Sequence, residues 1–136
     1  MTKKSSTTTT RNLLSLEDLS VMIEEKIASK EKNSYTYELA KGGAEKTTRK
    51  VGEEAVEVVI AAFMNEQKNN EETRSDLIGE VSDLFFHSLV LLASQGIEYS
   101  DILAELHRRN VKIKEFRSKT SKEEIVTKIP KKISNK

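Results

Sequence analysis

The chain has 136 residues, no cysteine, one proline and a third of its side chains charged. That length fits one domain; the lack of cysteine excludes disulfides, thiol catalysis and cysteine–zinc sites and suits a reducing cytoplasm; nothing resembles a secretory signal, and no apolar run reaches the roughly 18 residues of a membrane span. The net charge of +1 conceals a middle (12–110) of −8 between basic ends of +3 (1–11) and +6 (111–136), which are read as solubilising tails, with no membrane and no nucleic-acid partner expected.

Residues 1–14, with the run Ser5-Ser6-Thr7-Thr8-Thr9-Thr10, are expected to be a disordered extension. Ser15 opens a capping-box pattern with Asp18, and Leu16, Leu19, Ile23 and Ile27 recur at helical spacing, which predicts a helix over 16–30. Residues 30–36 read as a loop, and a short helical piece over 37–41 stops at Gly42-Gly43. A long helix is predicted over 44–67, broken at Asn69-Asn70, and another over 72–95, ended by Gly96. Ser100 can cap a last helix over 101–116, so that one domain spans 15–116 and a basic flexible tail 117–136.

Helices joined by short loops predict an all-α fold, an antiparallel bundle of four to five helices. The segment 77–92 is apolar nearly all round, through Leu77, Ile78, Val81, Leu84, Phe85, Phe86, Leu89, Val90, Leu91 and Leu92. Such a helix must be central or lie at a subunit interface, and a small domain cannot cover it on every side. A homo-oligomer, most simply a dimer, is therefore expected to complete the bundle.

Glu53, Glu54 and Glu57 form E-E-x-x-E, and Glu80 and Asp83 form E-x-x-D on the next long helix. At about 100° per residue, Glu57 falls about 60° from Glu54, and Asp83 about 60° from Glu80. Both pairs are placed at the edge of an apolar stripe, Val51, Ala55, Val58 and Ala62 on the first helix and Leu77, Val81, Leu84 and Leu92 on the second. If the helices are antiparallel neighbours, the carboxylates converge, and converging carboxylates repel unless a cation holds them. An all-carboxylate set suits Mg²⁺ or Mn²⁺, which keep room for substrate phosphates. The metal would neutralise anhydride oxygens and lower the pKa of an attacking water. The plain alternative, a solvated acidic face, stays open from geometry alone. Lys46 and Lys50 project on the carboxylate side and suit phosphate oxygens, or simple i, i+4 pairing such as Lys50 with Glu54. His87 shares the face of Glu80 and Asp83 and suits contact with phosphate, a partner behind a metal ligand, or an ordinary core histidine. Gly52, inside a helix, calls for close packing or substrate approach, and Gly42-Gly43 for a turn or a phosphate contact.

The two acidic motifs resemble the signature of the all-α nucleotide pyrophosphohydrolases, which include MazG-like enzymes and dimeric dUTPases. A narrower resemblance rests on Ser34-Tyr35-Thr36, Gly43, Lys46, Lys50 through Glu57, Asp83 through His87, Leu89 through Leu92, Leu106 and Arg108-Arg109. Over about 17–110 these words are similar to phosphoribosyl-ATP pyrophosphohydrolases. The resemblance implies a cytoplasmic enzyme that hydrolyses phosphoribosyl-ATP at its α–β anhydride to phosphoribosyl-AMP and pyrophosphate, the second step of histidine biosynthesis. It implies catalytic Glu54, Glu57, Glu80 and Asp83, a Mg²⁺ held by these with Glu53, triphosphate contacts from Lys46 and Lys50, and a substrate pocket shaped by Ser34 and Tyr35, with His87 beside it. Ser82 departs from the small apolar residue expected there, and both ends exceed a minimal family domain. A house-cleaning nucleoside triphosphate pyrophosphohydrolase and a non-enzymatic helical interaction module are the competing readings.

Overall fold

The computed structural model describes residues 13–127, with side chains as far as 118. The disorder expected before residue 13 and the end of the tail, 128–136, lie outside the described residues. The chain is all-α, with α1 Leu16–Ser29, α2 Tyr35–Lys41, α3 Gly43–Lys68, α4 Glu71–Ser94 and α5 Tyr99–Thr127. It falls into two compact units, one ending at Ile97 and the other beginning at Glu98.

In the first unit the helix ends follow from side-chain chemistry. Ser15 accepts the Asp18 amide at 3.0 Å, and its hydroxyl donates to the Asp18 carboxylate at 2.7 Å, so the serine caps the helix. Ser34 likewise caps α2 by accepting the Tyr37 amide. α2 therefore starts at Tyr35, two residues before the predicted start, because the cap serine and not the aromatic run sets the boundary. Gly42 closes α2, and Gly43, at φ +66°, turns the chain into α3. The hairpin between α3 and α4 is made by two asparagines. Asn69 sits in the left-handed region (φ 46°) as the last cap of α3, and Asn70 opens α4 in a reciprocal box with Thr73, which is buried and also lies 3.2 Å from the Asn65 side-chain oxygen. Asn70→Ala should cost about 1 kcal/mol, seen as a lower denaturant midpoint at unchanged slope.

α3 and α4 form the main antiparallel pair, and α1 and α2 pack against α4 and against each other. α4 packs against α1, α2 and α3, while Ile78 and Phe85 on it stay about half exposed. By length and composition alone it would also pass for a membrane-crossing helix, even with Glu80 and Asp83 inside it. The core is small, with Ile23, Leu39, Ala61, Leu89 and Val90 as its buried apolar residues.

α3 corrects the expected facing. Its buried residues are Thr47, Glu54 and Ala61, so the line turned inward runs through Glu54 itself. Ala55 and Ala62 are exposed and Val51 and Val58 only half-buried. On the opposite side Val56, Val59, Ile60 and Phe63 are each more than half exposed. Periodicity placed the inward stripe at Val51, Ala55, Val58 and Ala62, and packing against α4 centred on Glu54 instead.

In the second unit α5 begins at Tyr99. Ser100, expected as its cap, lies inside the first turn, and the Asp101 carboxylate reaches back to accept the Glu98 amide at 3.1 Å. The helix runs to Thr127, beyond the end predicted at 116, since lysine and glutamate are good helix formers. Glu105 is gripped by Arg108 and Arg109, with guanidinium nitrogens at 2.6 and 2.7 Å, which pushes its carboxyl down to about 2. Both arginines are thus engaged on their own helix.

Candidate active site

The seam between α3 and α4 gathers the acidic residues of both motifs that converge. Glu54 and Glu57 on α3 and Glu80 on α4 bring carboxylate oxygens within 4.8 Å of one another. Glu54 is buried at 4 % exposure, Glu80 is half-buried and Glu57 exposed. Three acids on two helices meet because Glu54 and Glu57 lie about 60° apart on one helix face, and α4 runs back along that face.

The electrostatics of the set are uneven. Lys50 Nζ lies 2.9 Å from both Glu53 Oε2 and Glu54 Oε1. Its ammonium holds the Glu54 carboxyl below the usual range, and the two glutamates raise the lysine. Among the described residues Glu57 has no such partner. Hydrogen bonding to Glu54, with the Glu80 charge added, pushes its carboxyl up. The cluster therefore holds more negative charge than its own cations offset, and a proton or a metal ion relieves it. A hard, oxygen-only donor set of this kind suits Mg²⁺ or Mn²⁺.

Behind Glu54 stands His87, 6 % exposed, with Nδ1 3.3 Å from Glu54 Oε1 and 2.9 Å from the Asp83 backbone oxygen. Its Nε2 lies 2.9 Å from the Tyr35 hydroxyl. Tyr35 stacks on Phe86 and meets the His87 ring edge-on.

Other expected residues are placed differently. Asp83 is exposed and its carboxylate is not part of the convergent set; its backbone oxygen serves His87. Glu53 faces Lys50 and also stays outside the set. Lys50 has the i, i+4 pairing with Glu54 that was the plain alternative. Lys46, one turn upstream, is exposed, and its stem lies so close over Gly42 that a methyl group there would displace it. Ser34 spends its oxygen on the α2 cap and, with Lys26, Lys32, Asn33 and Tyr35, lines a cleft of about 490 Å³. A side chain at Gly52 would meet nothing within 4 Å, so close helix packing does not explain that glycine.

One group escaped the sequence reading. Below the triad a cleft of about 240 Å³ is lined by Glu57 and Glu80 together with Glu72, Asp76, Lys68 and Ile60. The i, i+4, i+8 row Glu72, Asp76, Glu80 was the signal that could have found it.

The profile of a family described as phosphoribosyl-ATP pyrophosphohydrolase matches residues 16–110. A phosphoribosyl-ATP pyrophosphatase of Listeria monocytogenes is 47% identical over 104 residues, 76% of this chain and 93% of that protein. The proteins of the same name from Pyrobaculum islandicum and Metallosphaera sedula are each 44% identical over 94 residues, 69% of this chain and 93% and 94% of theirs.

Proposed function

The chain belongs to the phosphoribosyl-ATP pyrophosphohydrolase family, and we propose that it runs the family's reaction on Mg²⁺ held between α3 and α4. It hydrolyses phosphoribosyl-ATP to phosphoribosyl-AMP and pyrophosphate, a step of histidine biosynthesis. The observation that supports the metal is the meeting of Glu54, Glu57 and Glu80 within 4.8 Å, with Glu57 pushed toward its protonated form.

Glu54, Glu57 and Glu80 are the principal ligands in this reading. Glu53 and Asp83 join only by rearranging their side chains. When bound, the ion supplies neutralisation of the anhydride oxygens and activation of water. The chain's own residues do the rest. Lys50 keeps Glu54 ionised, so that a ligand is ready at neutral pH. Lys46, exposed one turn upstream, is assigned to the triphosphate. Lys26, Lys32 and Ser34, on the cleft before α2, form a wall of the substrate pocket. A cytoplasmic homodimer belongs to the same proposal; the exposed apolar line on α3 supports the dimer.

The test is pyrophosphate release from phosphoribosyl-ATP, with Mg²⁺ and with chelator, beside a panel of ordinary nucleoside triphosphates. Fast, metal-dependent release from phosphoribosyl-ATP alone is expected. Release confined to other triphosphates would move the chain to house-cleaning hydrolysis. No hydrolysis of any kind would favour an interaction module.

A further inference from the structure

We propose that Tyr35 and His87 are positioning residues for Glu54 and not contacts of the substrate. The inference rests on the reading of Glu54 as a metal ligand.

It begins with the protons on the imidazole. His87 Nδ1 faces the Asp83 backbone oxygen at 2.9 Å and Glu54 Oε1 at 3.3 Å. A carbonyl and a carboxylate only accept, so Nδ1 carries the proton. In the neutral ring a proton on Nδ1 leaves Nε2 with a lone pair, and the Tyr35 hydroxyl 2.9 Å away is placed to donate to it. In that tautomer the bonds run in one direction, from Tyr35 O–H to Nε2 and from Nδ1–H to Asp83, with the same N–H resting against Glu54.

Three consequences follow. The Tyr35 hydroxyl is spent inside the protein, although more than half of the tyrosine is exposed. The imidazole is pinned at both nitrogens and by ring contacts to Tyr35 and Phe86, with Phe86 5.3 Å away, centre to centre. Glu54 Oε1 then has two fixed neighbours, Lys50 on its own helix and His87 from α4. Its rotation is set before an ion arrives, which is how hydrogen-bonded partners behind a ligand raise metal affinity. Through Tyr35 the start of α2 is tied to the same carboxylate, which joins the Ser34–Tyr35 segment to the site without a substrate in between.

The experiment uses the full chain in three forms, Tyr35→Phe, His87→Ala and His87→Asn. Imidazole ¹⁵N shifts in the wild type should identify the Nδ1–H tautomer, the less common one in water, and the Nε2 signal should move toward an unbonded acceptor in Tyr35→Phe. Mg²⁺ affinity without substrate, measured by calorimetry, should fall about tenfold in Tyr35→Phe, and kcat with it, while KM for phosphoribosyl-ATP at saturating Mg²⁺ stays unchanged. His87→Ala should lose more, and His87→Asn should recover part of the affinity, because the amide nitrogen sits where Nδ1 was. A Tyr35→Phe variant with a raised KM and unchanged Mg²⁺ affinity would overturn the inference and make Tyr35 a substrate contact. An Nε2–H tautomer in the wild type would overturn it as well. A wild-type chain that neither binds Mg²⁺ nor turns over phosphoribosyl-ATP would instead sink the proposed function, and this inference with it.

Discussion

Glu57→Gln should lower Mg²⁺-dependent pyrophosphate release at least about a hundredfold, the upper end of what loss of a group merely supporting a metal ligand costs, and should leave the metal-free fold as stable as before or more so. Glu57 is exposed, so the amide disturbs no core packing. Its carboxyl is raised by Glu54 and by the charge of Glu80. A carboxyl with a folded pKa above its unfolded one costs stability when ionised, and that cost vanishes as pH falls through the raised value. The amide removes the cost at neutral pH together with the ligand. Glu54→Gln should lose turnover too, with the opposite sign on stability. Lys50 lowers the Glu54 carboxyl, so its contribution is present above the unfolded value and lost as pH falls through the folded one. The substitution also leaves Lys50 and His87 facing a neutral amide. Thermal melts in chelator and a coupled pyrophosphate assay separate the cases. Full Mg²⁺-dependent activity in Glu57→Gln would remove it from the ligand set.

Phe63→Glu should split the proposed dimer into monomers. Val56, Val59, Ile60 and Phe63 fall at i, i+3, i+4 and i+7, one continuous line on the outside of α3, and Ile78 and Phe85 on α4 are also about half exposed. A monomer leaving this line in water keeps only a small core. Burying one phenylalanine is worth about 1.5–3 kcal/mol, and a twofold interface counts it twice, so a charge there should weaken the dimer by at least about a hundredfold. Light scattering after gel filtration should give a dimeric wild type and a monomeric variant. Since Phe63 lies outside the monomer's core, the variant should keep its helical content. A wild type that stays monomeric at every concentration would dispose of the dimer.

Much of this protein was legible along the chain because its determinants are local. A hydroxyl three residues before an amide made the start of α1, and paired asparagines and glycines ended helices, since these effects act within one turn. The acidic motifs and the words around them carried the family, because the chemistry needs those residue types at those spacings. The misreadings at helix ends were also local: Ser34 was the cap of α2 but was read as loop, and Ser100 was read as a cap although it lies inside the first turn of α5.

What the sequence by itself determined, then, is an all-helical chain with carboxylates one turn apart on two consecutive helices. Tertiary structure alone decided which of them meet. It turned Glu54 inward instead of the Val51–Ala62 stripe and left Asp83 and Glu53 outside the triad. It also joined Tyr35 to His87 across 52 residues. The physical reason is that a helix with apolar residues on several sides has no single inward face of its own. The face is chosen by what the neighbouring helix offers, and on α4 that was a glutamate and a histidine.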